Sequence, residues 1–156
     1  MSQGDADPQA GRDDGVRLDT SLGYLLKEAS SALRAAMEEV LRPLGMTVTH
    51  YSCLELLAQR PGLSNSELAR GAFVTRQSMN VLLQALERDG EVERAAEAPV
   101  GKALPTQLTA HGRRRIADAS AAVRSVETRM LAGMSEADQA AAFRALQSMT
   151  RALRES

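Results

Sequence analysis

The chain has no tryptophan, one cysteine, two histidines and only 3% aromatic residues among 156, and each scarcity closes off a class of function. The lone thiol, Cys53, forms no internal disulfide, and His50 and His111 stand at no spacing that suggests a zinc site. No metal or other cofactor is expected. There is no Gly-rich phosphate loop, and nucleophilic chemistry lacks an assembled set of parts, so an enzyme is not expected either. No apolar run approaches the roughly 18–20 residues of a membrane span. The N-terminus, with Asp5, Asp7, Asp13 and Asp14, lacks the basic and hydrophobic parts of a secretion signal. The expected location is the cytoplasm, with no membrane partner. With aromatics so scarce, the core must be built from Leu, Ala, Val and Met, which helices accept readily. One mainly α-helical domain, 44% hydrophobic, is the expectation.

The net charge of -1 hides an uneven distribution. Residues 1–20 carry five acids and two bases, 21–59 four acids and three bases, and 116–156 five of each. From Arg60 to Arg115 nine bases stand against six acids. A positive stretch inside an otherwise neutral or acidic protein is the footprint of a module that contacts phosphates.

Residues 1–18 are rich in Gly, Asp, Gln and Pro without apolar periodicity and read as a disordered tail. Residues 19–46 follow as one long helix, with Leu22, Leu25, Leu26, Ala29, Leu33, Ala36, Met37, Val40 and Leu41 at three- and four-residue steps. Pro43 and Gly45 end it. A lobe over 47–109 opens with a helix capped by Thr47 or Thr49 and stopped by Pro61-Gly62. Ser64-Asn65-Ser66-Glu67 is a capping box, in which hydroxyl and carboxylate each accept a free amide, with Leu63 placed to staple onto Leu68. That short helix breaks between Gly71 and Val74. Thr75 then caps a second with Met79, Leu82, Leu83 and Leu86 on one face. Two short helices joined by a tight turn make a helix-turn-helix. Past Asp89-Gly90 the period changes, and Val92 and Leu104 to Leu108 read as strands flanking a turn at 96–101, a two- or three-stranded β wing. Residues 110–156 return to helix, one capped by Thr109 with Ile116, Ala119, Val123, Val126 and Met130, the other capped at Ser135 with Phe143, Leu146 and Leu153. The terminal helices carry more apolar surface than such a lobe can cover, so they are read as dimerisation helices. A homodimer would set two recognition helices one DNA turn apart.

On the second helix of the motif, Arg76, Gln77, Asn80, Val81 and Gln84 lie off the apolar stripe, with Thr75 and Ser78 beside them at its start. Early turns of a recognition helix meet base edges in the major groove. There Arg pairs with guanine, Gln and Asn with adenine, and Val packs on a thymine methyl. A polar solvent face is the plain alternative. The ordered set of capped helix, turn, amphipathic helix and strand pair favours double-stranded DNA as the partner. Ser64, Asn65 and Ser66 are candidate phosphate contacts beyond their capping role, because a helix N-terminus presents free amides. Arg94 and Lys102 are candidate wing contacts, or ordinary hairpin charges. Arg113, Arg114 and Arg115 sit where the helix dipole disfavours cations, so phosphate, intersubunit carboxylates or intrachain carboxylates must account for them. A competing reading is a winged-helix protein-interaction module without specific DNA binding.

The stretches Gly62-Leu63-Ser64-Asn65-Ser66-Glu67-Leu68-Ala69, Val74-Thr75-Arg76-Gln77-Ser78-Met79-Asn80 and Leu86-Glu87-Arg88-Asp89-Gly90-Glu91-Val92-Glu93-Arg94 resemble the MarR family of bacterial regulators. Leu108-Thr109-Ala110-His111-Gly112-Arg113 is similar to that family's opening of its dimerisation helix, and the likeness spans residues 20–154. The resemblance implies a winged helix-turn-helix with long dimerisation helices at both termini. It also implies a homodimer on a pseudopalindromic operator, repression by promoter occlusion, and release by a small aromatic acid or phenolic effector. It places Tyr24, Lys27, His50 and Tyr51 on the helices that line the effector cleft. Two departures stand out. The wing's usual Asp-x-Arg falls on Val100-Gly101-Lys102, and basic positions later on the recognition helix are Val81 and Ala85, which implies fewer phosphate contacts. Oxidant-sensing relatives use a reactive cysteine, whereas Cys53 among Leu54, Leu56 and Leu57 has the setting of a small buried hydrophobe.

Overall fold

Six α-helices are present among the described residues, and each starts at a Ser or Thr whose hydroxyl accepts the amide three residues on. The computed structural model describes residues 15–94 and 105–155. Helix α1 (Leu22–Leu41) begins at Ser21 and runs into a 3-10 turn, Arg42–Leu44, that closes on Gly45 at φ 66°. Of the two candidate caps for α2 (Val48–Gln59), Thr47 is the one used. Helices α3 (Asn65–Gly71) and α4 (Arg76–Arg88) form the helix-turn-helix, followed by β1 (Val92–Arg94), β2 (Thr106–Leu108), α5 (Ala110–Leu131) and α6 (Glu136–Arg154). The two strands pair antiparallel with Val92 opposite Leu108 and Arg94 opposite Thr106. A third strand is absent from the described residues; Leu63 lends only its carbonyl to the Thr106 amide, at 3.3 Å.

One core joins these pieces. Leu54 and Leu57 of α2, Leu68 of α3, Met79, Leu83 and Leu86 of α4, Val92 and Leu108 of the strands, and Ile116 of α5 are all buried in it. The apolar stripe of α4 therefore points inward as its spacing predicts. The stripe of α1 does so only at its C-terminal end: Leu33, Met37 and Val40 are half-buried and Leu41 fully, whereas Leu22, Leu25 and Leu26 are exposed. On α5 the same happens in reverse, with Ile116, Ala119 and Val126 buried and Met130 exposed. No residue of α6 is buried. Among the described residues, no helix is long and apolar enough to cross a membrane and no cluster of His, Cys, Asp or Glu could hold a metal. Of the expected tail, residues 1–14 lie outside the described residues, as do the wing turn at 96–101 and Lys102.

Candidate nucleic-acid interface

The tight turn between α3 and α4 delivers the N-terminus of α4 to the surface. Ala72 closes α3, Phe73 takes φ 60°, and the Val74 amide donates back to Ala69 at 3.0 Å before Thr75 caps α4. The Thr75 hydroxyl accepts the Ser78 amide and donates to the Ser78 hydroxyl, each at 3.0 Å, so both side chains are spent on organising this first turn. With Met79, Leu83 and Leu86 facing the core, Arg76, Gln77, Val81 and Gln84 are left exposed on the outer face. Val81 keeps 61% of its surface open. Arg76 reaches back to the Ser66 hydroxyl at 3.5 Å, which links the two helices at the same surface.

Asn80 is placed differently. It is half-buried, and its Oδ1 accepts from Asn65 Nδ2 at 3.3 Å and Arg94 Nη2 at 3.5 Å. Arg94 also lies 3.8 Å from the Glu87 carboxylate. These four side chains tie α3, α4 and β1 together, so Asn80 and Arg94 hold the wing's base against the recognition helix. Asn65 Oδ1 is buried with no hydrogen-bond partner. The capping box is also altered: Glu67 Oε1 accepts from the Ser64 hydroxyl at 3.0 Å instead of from a backbone amide, while the Ser64 oxygen accepts the Glu67 amide as expected.

Two of the three arginines after β2 find acceptors within the chain. Arg113 donates to the Leu108 carbonyl at 3.3 Å. Arg115 donates through Nε to Glu91 Oε1 at 3.2 Å and through Nη1 to the Leu44 carbonyl at 2.7 Å. Of the alternatives that the sequence leaves open, an intrachain carboxylate accounts for Arg115. Arg114 is exposed. The same Glu91 oxygen accepts from His50 Nε2 at 3.1 Å, which commits one of the four candidate effector residues to a structural cluster. Tyr51 is half-buried beside Glu55 and Ser120 on α2 and α5; burial raises its phenol pKa, and the Glu55 charge adds to that. Tyr24 and Lys27 lie on the exposed part of α1. A groove of about 490 Å³ runs between α1, α2 and the α3–α4 turn, walled by Leu33, Met37, Val48, Phe73 and Val74, with Arg34 at its edge. None of those four candidates lines it.

Cys53 is fully buried, and that burial, aided by the Glu91 charge, pushes its thiol up to about 12 from an ordinary 9.0. The reactive thiolate is therefore suppressed at neutral pH. The expected result is that a thiol reagent at pH 8 leaves the native protein unlabelled and labels it stoichiometrically in denaturant; labelling of the native protein within minutes would contradict the burial. Because the folded chain holds this proton where the unfolded chain releases it, the contribution to stability is intact below pH 9.0 and declines as pH climbs towards 12.

Residues 44–103 match the MarR family. The HTH-type transcriptional repressor Rv2887 of Mycobacterium tuberculosis is 44% identical over 125 residues, 80% of this chain and 90% of the repressor. The crystal structure of that MarR family protein in complex with salicylic acid superposes with a TM-score of 0.69 at 43% identity, covering 84% of this chain and 97% of the other. Its complex with DNA gives 0.68 at 40% identity, covering 84% and 98%.

Proposed function

This chain belongs to the MarR family, and from that premise we propose that it is a homodimeric, sequence-specific DNA-binding transcriptional repressor released from its operator by a small aromatic acid. The observation that carries the reading is the outer face of α4. Arg76, Gln77, Val81 and Gln84 stand exposed on a helix whose other face is locked into the core, so base-reading groups are presented on a rigid support. Asn80 and Arg94 act one step back, fixing that helix and the wing's base to each other. Ser64 and Ser66 flank the same surface at the start of α3, and Lys102, between β1 and β2 in the sequence, completes the set of proposed contacts. The lobe over 47–109 is the DNA-binding unit, and the segments 19–46 and 110–156 are the dimerisation helices. Such a regulator acts on chromosomal DNA in the cytoplasm and needs no catalytic chemistry.

The groove beside Phe73 is the proposed effector site. Its volume lies within the roughly 300–1,000 Å³ of small-molecule pockets. Its walls suit an aromatic ring, and Arg34, now paired with Glu38 at 3.2 Å, offers a guanidinium to a carboxylate. The related Rv2887 crystallises with salicylic acid and with p-aminosalicylic acid.

A mobility-shift titration against DNA upstream of the chain's own gene and its neighbours, in excess nonspecific DNA, tests the reading. A competitor-resistant shift that salicylate reverses is the expected result. Arg76→Ala should weaken specific binding by about 1–3 kcal/mol, roughly 5–150-fold, while leaving nonspecific binding nearly unchanged. Unaltered operator affinity in that variant would remove Arg76 from the interface, and the absence of any competitor-resistant shift would favour a protein-interaction module.

A further inference from the structure

Glu91 is the one charged side chain buried among the described residues, and it stands where α4, β1, α2 and α5 meet. Its backbone amide donates to the Leu86 carbonyl at 2.9 Å, which fastens it to the C-terminal end of the recognition helix. Its carbonyl accepts from the Thr109 amide at 3.1 Å, which fastens it to the start of α5. Its carboxylate gathers His50 from α2 and Arg115 from α5, and Arg115 continues to the Leu44 carbonyl at the corner between α1 and α2. A buried ionic cluster is weak evidence for stability as such, since well-packed apolar groups often serve equally well. What it does supply is a directional constraint, because the carboxylate is satisfied only when three elements hold one geometry.

We infer that Glu91 is a positioning residue that sets the tilt of α4 against the dimerisation helix α5, and thereby the separation of the two half-sites that the dimer accepts. This rests on the dimeric DNA-binding reading above. The 13 residues of α4 make a lever about 20 Å long at roughly 1.5 Å per residue. A tilt of about 10° at the Glu91 end moves the Arg76 end by about 3.5 Å, close to the ~3.4 Å rise per base pair. Two-fold symmetry applies that displacement to both recognition helices. Loosening this one junction therefore changes which spacing fits.

The test uses the full chain and a duplex selected by the wild-type protein from a random library, rebuilt with its half-sites one base pair closer or farther apart. Wild type should prefer the selected spacing. Glu91→Ala should bind the selected duplex about tenfold more weakly and discriminate among the three spacings by no more than about threefold. Glu91→Gln, which keeps an acceptor of the same shape, should restore most of the preference. If Glu91→Ala does not fold, Arg115→Gln reads the same junction from a partly exposed side chain and should flatten the profile likewise. A variant that binds more weakly at every spacing but keeps the wild-type ratios would overturn the positioning role alone. Wild-type protein that selects no duplex would overturn it together with the DNA-binding reading.

Discussion

Gly112→Ala is expected to destabilise the protein by about 3 kcal/mol and to lower its thermal midpoint by roughly 6–12 °C, at ~2–4 °C per kcal/mol for a chain of this size. Gly112 lies in the first turn of α5, where helix propensity alone would make alanine better by about 0.5–1 kcal/mol. The neighbourhood reverses that preference. A Cβ at position 112 would stand 2.0 Å from the Glu91 carbonyl oxygen and 3.2 Å from Leu108 Cδ2. The oxygen belongs to the backbone and is already held by the Thr109 amide, and the Thr109 hydroxyl grips the neighbouring Gly90 carbonyl. Relief of the clash must therefore push α5 off the α4–β1 junction, breaking the cap or the Glu91 cluster. Gly133→Ala is the control, since nothing lies within 4 Å of a Cβ there and its effect should stay within about 0.5 kcal/mol. Thermal melts of both variants at one protein concentration decide the matter; a Gly112→Ala midpoint within 2 °C of wild type would show that the junction yields more easily than this geometry allows.

This junction also shows where the sequence is legible and where it is not. The caps at Ser64, Thr75, Thr109 and Ser135 can be read because a hydroxyl and an amide three residues on are neighbours in any helix start. The inward face of α4 follows from spacing alone for the same reason. Glu91 looks like an ordinary turn residue in the sequence. Its burial comes from His50, 41 residues away, and Arg115, 24 away, and no local pattern encodes that meeting. A retrospective signal exists in the arginine run at 113–115, whose unfavourable place at a helix N-terminus demands acceptors that the sequence does not locate. The engagement of Asn80 is hidden from the sequence on the same grounds. Its helical position is right, but Asn65 and Arg94 converge on its carbonyl oxygen from other elements. Phe73 is a third case. A non-glycine residue at positive φ is costly, and only the packed turn on both sides explains why the chain accepts it.

Leu146→Asp is expected to convert the dimer to a monomer and to weaken operator binding by about 100-fold or more, the loss that follows when two half-site contacts no longer share one molecule. The argument starts from α6, a 19-residue helix with acids in its first turn and arginines in its last, and no buried residue. Dipole-matched charges help such a helix, but an isolated segment of that length is marginal in water. Phe143, Leu146 and Leu153 are 65%, 46% and 81% exposed, and a groove of about 510 Å³ runs along the same face past Thr150 and Arg151. On α1, near the other terminus, Leu22, Leu25 and Leu26 are exposed as well. Patches of this kind mark an interface, and a second copy of the chain offers the matching face by symmetry. Placing a carboxylate at Leu146 asks that interface to bury an unpaired charge, which costs more than the packing it replaces. Sedimentation equilibrium reads the mass, and a mobility shift on the selected duplex reads the affinity. Helical circular dichroism should fall as well, because no residue of α6 is buried within its own chain to hold the helix once its partner leaves. A Leu146→Asp protein that stays dimeric with unchanged helicity would mean that the α6 face is not where the two chains meet.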